Sequence, residues 1–155
     1  MIKKKWKERL MNNLAAPPVE EEQALFNRVQ IATCVILLEV AKYDDEFSSI
    51  EIETTKAILK KDFSISEEDI ENLMNVAEEQ REESVDLWEF TNVINQNFSN
   101  EEKLKIMEAA WKIIYADEVL NKYEDHYVHV LANMLRLRHS DLIDTKLRIL
   151  HGDDE

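Results

Sequence analysis

The chain has 155 residues, a length typical of one domain, and a formal net charge of −14. Its single cysteine excludes an internal disulfide. Neither glycine nor proline interrupts residues 19–151, and the glycine-based turns of hairpins are missing, which argues against a sheet protein. The composition therefore predicts an all-α fold class.

The N-terminal segment has the pattern of a basic amphipathic helix. Over residues 1–14 an apolar side chain recurs every four positions, at Ile2, Trp6, Leu10 and Leu14. Residues 1–16 carry a net charge of +4, so the remainder carries −18. The Ala-Ala-Pro-Pro sequence of residues 15–18 ends this helix and forms a linker. Three roles stay open: docking on this protein, docking on a partner, or contact with an anionic membrane surface.

From residue 22 onward, apolar residues follow helical spacing through seven segments, and each segment predicts a helix. Ser66 and Ser99 are expected to cap the third and fifth helices. The first and fifth are apolar nearly all round, so we expect them to be central and packed against each other. The segments are marked by Leu25–Val40, Ile50–Ile58, Ile70–Ala77, Leu87–Phe98, 100–116, Tyr123–Met134 and Leu142–Leu150.

Several classes of protein are disfavoured by the remaining composition. The longest apolar run is bracketed by Arg28 and Glu39 and stays shorter than the ~18 residues of a membrane span. The N-terminus lacks a secretory signal pattern, so the expected location is cytoplasmic. Cys34 lies in an apolar run and is expected to be an inert, buried thiol. Because an acidic body repels phosphate, no nucleic-acid partner is expected.

Two parts of the chain match each other, which predicts an internal repeat. Val40–Glu51 aligns with Ile113–Glu124 at an offset of 73, and Phe63–Ile65 aligns with Leu135–Leu137 at an offset of 72. The chain is therefore expected to be a bundle of about seven helices, built from two pseudo-symmetric helical repeats.

Each repeat contains an acidic motif where a buried helix ends and the next helix begins. Ser48 and Asn121 suit N-cap positions, and Glu51 and Glu124 follow three residues later, which is the spacing of a capping box. Capping does not explain an aspartate at the preceding helix C-terminus, where the helix dipole disfavours an acid. That aspartate occurs in both motifs, and a bound cation would compensate for it.

The sequence thus predicts a candidate metal site made of four carboxylates: Asp44, Glu51, Asp117 and Glu124. Hard divalent ions such as calcium, magnesium and manganese prefer oxygen ligands of this kind. The spacing and the absent glycine exclude a calcium loop of the EF-hand type. The alternative is that the glutamates only cap their helices, and that the acidic face contacts a protein without metal.

No catalytic residue and no organic cofactor is predicted, so the chain is not expected to be an enzyme. His126 and His129 share a helix face, but zinc needs a third ligand that the spacing does not supply. A single glycine excludes a phosphate-binding loop. The expected partners are other proteins, and the oligomeric state is left open.

The paired motifs resemble those of the tellurite resistance protein TerB family, in its uncharacterised bacterial branch. The similar segments are residues 39–51, 63–68, 85–91 and 115–124, within a resemblance that spans roughly residues 24–150. The resemblance implies a seven-helix bundle with internal pseudo-symmetry, an acidic surface proposed to bind metal, and a role in tellurite or chemical stress. The family usually has glycine after each motif aspartate and often aspartate at the cap. This chain has Asp45 and Glu118 in place of the glycines, which adds carboxylates, and Ser48 and Asn121 at the caps, which removes two potential carboxylate ligands.

Three parts are accordingly expected along the chain. Residues 1–18 form the basic helix and its Pro-Pro linker, residues 19–150 form the TerB-like helical domain, and residues 151–155 form an acidic tail.

Overall fold

The computed structural model describes residues 19–42, 49–84, 86–116 and 122–151. Within these ranges the chain forms seven α-helices and no strand, which confirms the predicted all-α bundle. The first helix begins at Val19, slightly earlier than its apolar pattern, and the fifth ends at Ile114 rather than 116. The helices are α1 (Val19–Lys42), α2 (Ser49–Asp62), α3 (Glu67–Glu83), α4 (Trp88–Asn97), α5 (Asn100–Ile114), α6 (Lys122–Met134) and α7 (His139–Leu150).

Local capping fixes where two of these helices begin. The Ser66 hydroxyl accepts a hydrogen bond from the Asp69 amide at 3.2 Å, at the start of α3. At the start of α5, the Ser99 hydroxyl accepts from the Glu102 amide, and the Glu102 carboxylate accepts from the Ser99 amide at 2.8 Å. Both predicted caps are confirmed, and the second is a complete capping box.

The core is organised around α1 and α5, which are the two most buried helices. Residues 32–38 of α1 are all buried, and Trp111 in α5 is fully enclosed. The two helices pack against each other, and each also contacts α2 and α6. Helices α3 and α4 pack on α1, whereas α7 packs on α5. This arrangement confirms the central position predicted for the two helices that are apolar all round.

The length of α1 corrects one expectation from the sequence. The segment Gln23–Ala41 is long and apolar enough to cross a membrane, by length and composition only. The run between Arg28 and Glu39 is by itself shorter than a membrane span, but Gln23–Ala41 includes both of these charged residues and still meets the length and composition of one. Because 61 % of the segment is buried inside the bundle, its composition is equally that of a core helix.

Two residues with left-handed backbone conformation follow α2 and α6 at matching places. Ser64 lies two residues after the end of α2, and Arg136 lies two residues after the end of α6, each with φ of 61°. They are 72 positions apart, which is the offset at which Phe63–Ile65 aligns with Leu135–Leu137. The internal repeat itself stays a prediction.

The C-terminus of α6 is held by side chains from two other helices. The Lys103 ammonium in α5 donates to the Leu135 carbonyl at 3.0 Å, and the Asn95 amide in α4 donates to the Met134 carbonyl at 2.9 Å. Burial lowers the pKa of Lys103, and the positive charge of Arg136 lowers it further. These bonds satisfy carbonyls that the helix itself leaves unpaired.

Replacing Arg136 by glycine is expected to stabilise the fold. A non-glycine residue in the left-handed region destabilises the folded state by about 1–2 kcal/mol. Glycine removes this penalty, but its more flexible unfolded chain offsets part of the gain in stability. We expect Arg136→Gly to raise the free energy of unfolding by about 0.5–1 kcal/mol in urea titrations. Arg136→Ala is the matched control, because it removes the same side chain and keeps Cβ. Equal stabilities of the two variants would contradict the assignment of strain.

Candidate functional site

Glu51 is the one predicted metal ligand whose side chain lies within the described residues. It is the third residue of α2 and only 4 % exposed. The Thr55 hydroxyl donates to the Glu51 carbonyl at 2.8 Å, which fixes the backbone of this first turn. A carboxylate at a helix N-terminus is favoured by the helix dipole, but a buried carboxylate also requires positive or hydrogen-bonding partners. The ionisation of Glu51 therefore affects the stability of the start of α2.

The other three predicted ligands fall where side chains are not described. Glu124 is the third residue of α6, so it occupies the position in its helix that Glu51 occupies in α2. Asp44 lies between α1 and α2, and Asp117 lies between α5 and α6, both outside the described residues. The same holds for the expected caps Ser48 and Asn121. Convergence of the four carboxylates thus stays a prediction.

Within the described ranges, no three histidine, cysteine, aspartate or glutamate side chains are grouped so that they could hold a metal ion. His126 is exposed on α6, while the ring of His129 stacks on that of His139 with centroids 5.7 Å apart. His129 therefore pairs with His139 on the next helix rather than with His126. Two histidine rings are too few for a structural zinc site.

The charged residues that precede the two acidic motifs, Glu39 and Lys112, already form ion pairs. The Arg81 guanidinium in α3 binds the Glu39 carboxylate at 2.7 Å and that of Glu78 at 3.3 Å. Burial acts to lower the pKa of Arg81, but hydrogen bonds to Glu78 and Glu39 outweigh it and raise the pKa. In the second repeat Lys112 occupies the position equivalent to Glu39 and binds Asp62 at 3.1 Å. Because Glu39 already binds Arg81, the ligands of a cation at the acidic motifs would have to come from the acids of the motifs themselves.

Helix α3 carries the strongest acidic surface in the described structure. It contains eight acidic residues and one arginine. Glu67 and Glu71 pair with Lys60 and Lys56 of α2, at 2.9 and 2.7 Å. Ion pairs that are this exposed contribute little to stability. Four further acids are exposed and pair with no described cation: Glu68, Glu79, Glu82 and Glu83.

Cys34 lies where the sequence predicted it, in the core. The Cys34 sulfur lies 3.7 Å from the Met74 sulfur, and burial, with a smaller contribution from Glu78, raises the pKa of the thiol to about 12. Such a thiol is neutral at physiological pH and is a poor nucleophile or metal ligand. The expectation of an inert buried cysteine is confirmed.

The fold is thus an all-α bundle in which two buried helices, α1 and α5, each precede an acidic motif of the sequence. Residues 30–147 match the family described as tellurite resistance protein TerB. The match covers more than half of the chain and includes both acidic motifs, so the chain belongs to the TerB family. No curated protein and no solved structure matches the chain.

The buried position of Cys34 predicts slow modification of the folded protein. At pH 8 we expect a thiol reagent such as dithionitrobenzoate to modify native protein at least about a hundredfold more slowly than unfolded protein, because the thiolate is nearly absent in the fold. The chain holds one cysteine, so the absorbance change reports Cys34 alone. Similar rates with and without denaturant would show that Cys34 is accessible.

Proposed function

We propose that this TerB-family chain is a non-enzymatic, cytoplasmic helical module that binds a divalent cation through its paired acidic motifs. The ligands are Asp44, Glu51, Asp117 and Glu124, and the ion is calcium, magnesium or manganese. The module acts in the response to tellurite or other chemical stress, in contact with other proteins. The observation that carries the proposal is the pair of acidic motifs, both of which lie within the TerB family match of residues 30–147.

The acids near Glu51 in the sequence support the cation for an electrostatic reason. Asp44, Asp45 and Glu46 precede Glu51, and like charges that lie close together destabilise one another. A divalent ion would relieve such repulsion, and the equivalent position of Glu124 in α6 supports the same chemistry at the second motif.

The second candidate function is a protein-interaction domain that binds no metal. The exposed acids of α3 favour it, because four of them pair with no described cation and could contact a basic partner. In this alternative Glu51 and Glu124 serve only as helix caps. The two candidates differ in their response to divalent ions.

Thermal unfolding with and without millimolar calcium, magnesium or manganese separates the candidates. A cation that binds only the folded state stabilises it by mass action, by about 2.7 kcal/mol at a hundredfold excess over its dissociation constant. We expect Asp44→Asn together with Asp117→Asn to abolish this gain, and to leave stability in metal-free buffer equal or higher. Exposed Glu79→Gln with Glu83→Gln is the matched control, since it removes the same charge from α3 and should preserve the gain.

The capping interpretation makes the opposite forecast for the same measurement. If the glutamates are only caps, Glu51→Ala and Glu124→Ala each cost about 1 kcal/mol whether or not metal is present. A melting temperature of the unmodified protein that no divalent cation changes would contradict the metal proposal and leave the interaction domain.

A further inference from the structure

The outward side of α1 forms the floor of a partly apolar surface between α3 and α4. Ile31 lies at its centre and borders two grooves. The groove toward α3, about 250 Å³ in volume, includes Val76, and the groove toward α4, about 280 Å³, includes Trp88 and Val93. We refer to Ile31, Val76, Trp88 and Val93 together as the Trp88 surface.

This surface has the composition of a contact site. Trp88 is 63 % exposed, more than any other exposed large hydrophobic side chain in the described ranges. Ile31 and Val93 are partly buried and rest on the core. Amide side chains surround the apolar centre, namely Asn27, Gln30, Asn72, Gln80, Asn92 and Gln96. An exposed tryptophan above apolar side chains with a polar rim is typical of a surface that a second element covers.

The negative charge beside the Trp88 surface favours binding of a basic segment. Helix α3 forms one wall and has a net charge of −7. Asp69 lines the first groove, and Glu89 accompanies Arg28 in the second. A segment with an apolar face and lysines beside it would place the lysines near α3.

Residues 1–14 meet these requirements, and the chain length permits them to reach the site. Asn27, at the edge of the surface, lies eight residues into α1 and hence about 12 Å from Val19. Residues 15–18 span up to about 14 Å when extended, which is enough to reverse the chain direction. A 14-residue helix would be about 21 Å long. Its apolar positions include Trp6 and Leu10, and residues 1–16 carry a charge of +4.

We propose that residues 1–14 fold back onto the Trp88 surface of the same chain. Trp6 and Leu10 pack on Ile31, Val93 and Trp88, and the lysines face the acids of α3. The proposal is independent of the cation site, because it involves none of the four motif carboxylates.

A spin label in the N-terminal segment tests this arrangement in the full-length protein. Asn12→Cys places the label on the polar side of the segment, and the buried Cys34 thiol does not compete for it. In nuclear magnetic resonance spectra of ¹⁵N-labelled protein, we expect loss of the amide signals of Ile31, Val93 and Gln96. Signals of Thr145 and Leu150 in α7 should persist, since α7 packs on α5 and α6.

Two exposed apolar residues provide a matched pair of variants. Trp88→Glu should restore the signals of Ile31 and Gln96, because it places a charge under the apolar face. Leu147→Glu changes a residue that is 46 % exposed on α7 and should leave the signal loss intact. Each variant retains its other signals if it folds.

Mixing experiments assign the contact to one chain or to two. ¹⁵N-labelled protein without a spin label is mixed with spin-labelled protein at natural isotope abundance, and no signal loss is expected. Signal loss at Ile31, Val93 and Gln96 in this mixture would show that the segment covers a second copy, and would overturn the proposal. Unchanged signals at Ile31, Val93 and Gln96 in the spin-labelled chain would overturn it as well.

Discussion

The packing of α1 against α5 is the contact on which the rest of this structure depends. Each helix is apolar nearly all round, so neither can be stable at a surface, and together they enclose side chains such as Leu37 and Trp111. Fully burying such side chains contributes roughly 1.5–3 kcal/mol each relative to exposure. The other five described helices contact at least one of these two and shield them from water.

The packing of α1 against α5 also affects where the acidic residues of the chain lie. With the interior filled by two largely apolar helices, most of the acids in the described ranges are exposed, above all those of α3. Ion pairs use some of the flanking charges, as between Arg81 and Glu39. Glu51 and Glu102 depart from this pattern, because each is a buried acid in the first turn of its helix.

Features set by local sequence were predictable, and features set by contacts between distant helices were not. The Ser99–Glu102 capping box and the burial of Cys34 follow from neighbouring residues and helical periodicity. The hydrogen bond from Lys103 to the Leu135 carbonyl joins residues 32 positions apart, and no local sequence pattern predicts it. The large exposure of Trp88 likewise depends on how α4 lies against α1. Of the candidate site, the sequence supplied the acids, and their convergence stays a prediction because three of the four side chains lie outside the described residues.

Crystals grown with manganese would test the central claim, that the acidic corners hold a divalent cation, most directly. Anomalous scattering locates manganese without reference to the protein sequence. The account predicts an anomalous peak within coordination distance of the Glu51 carboxylate, about 2.0–2.6 Å, with oxygen atoms from Asp44 or Asp117 completing the site. A peak only beside the exposed acids of α3, or no peak with ordered corners, would contradict it.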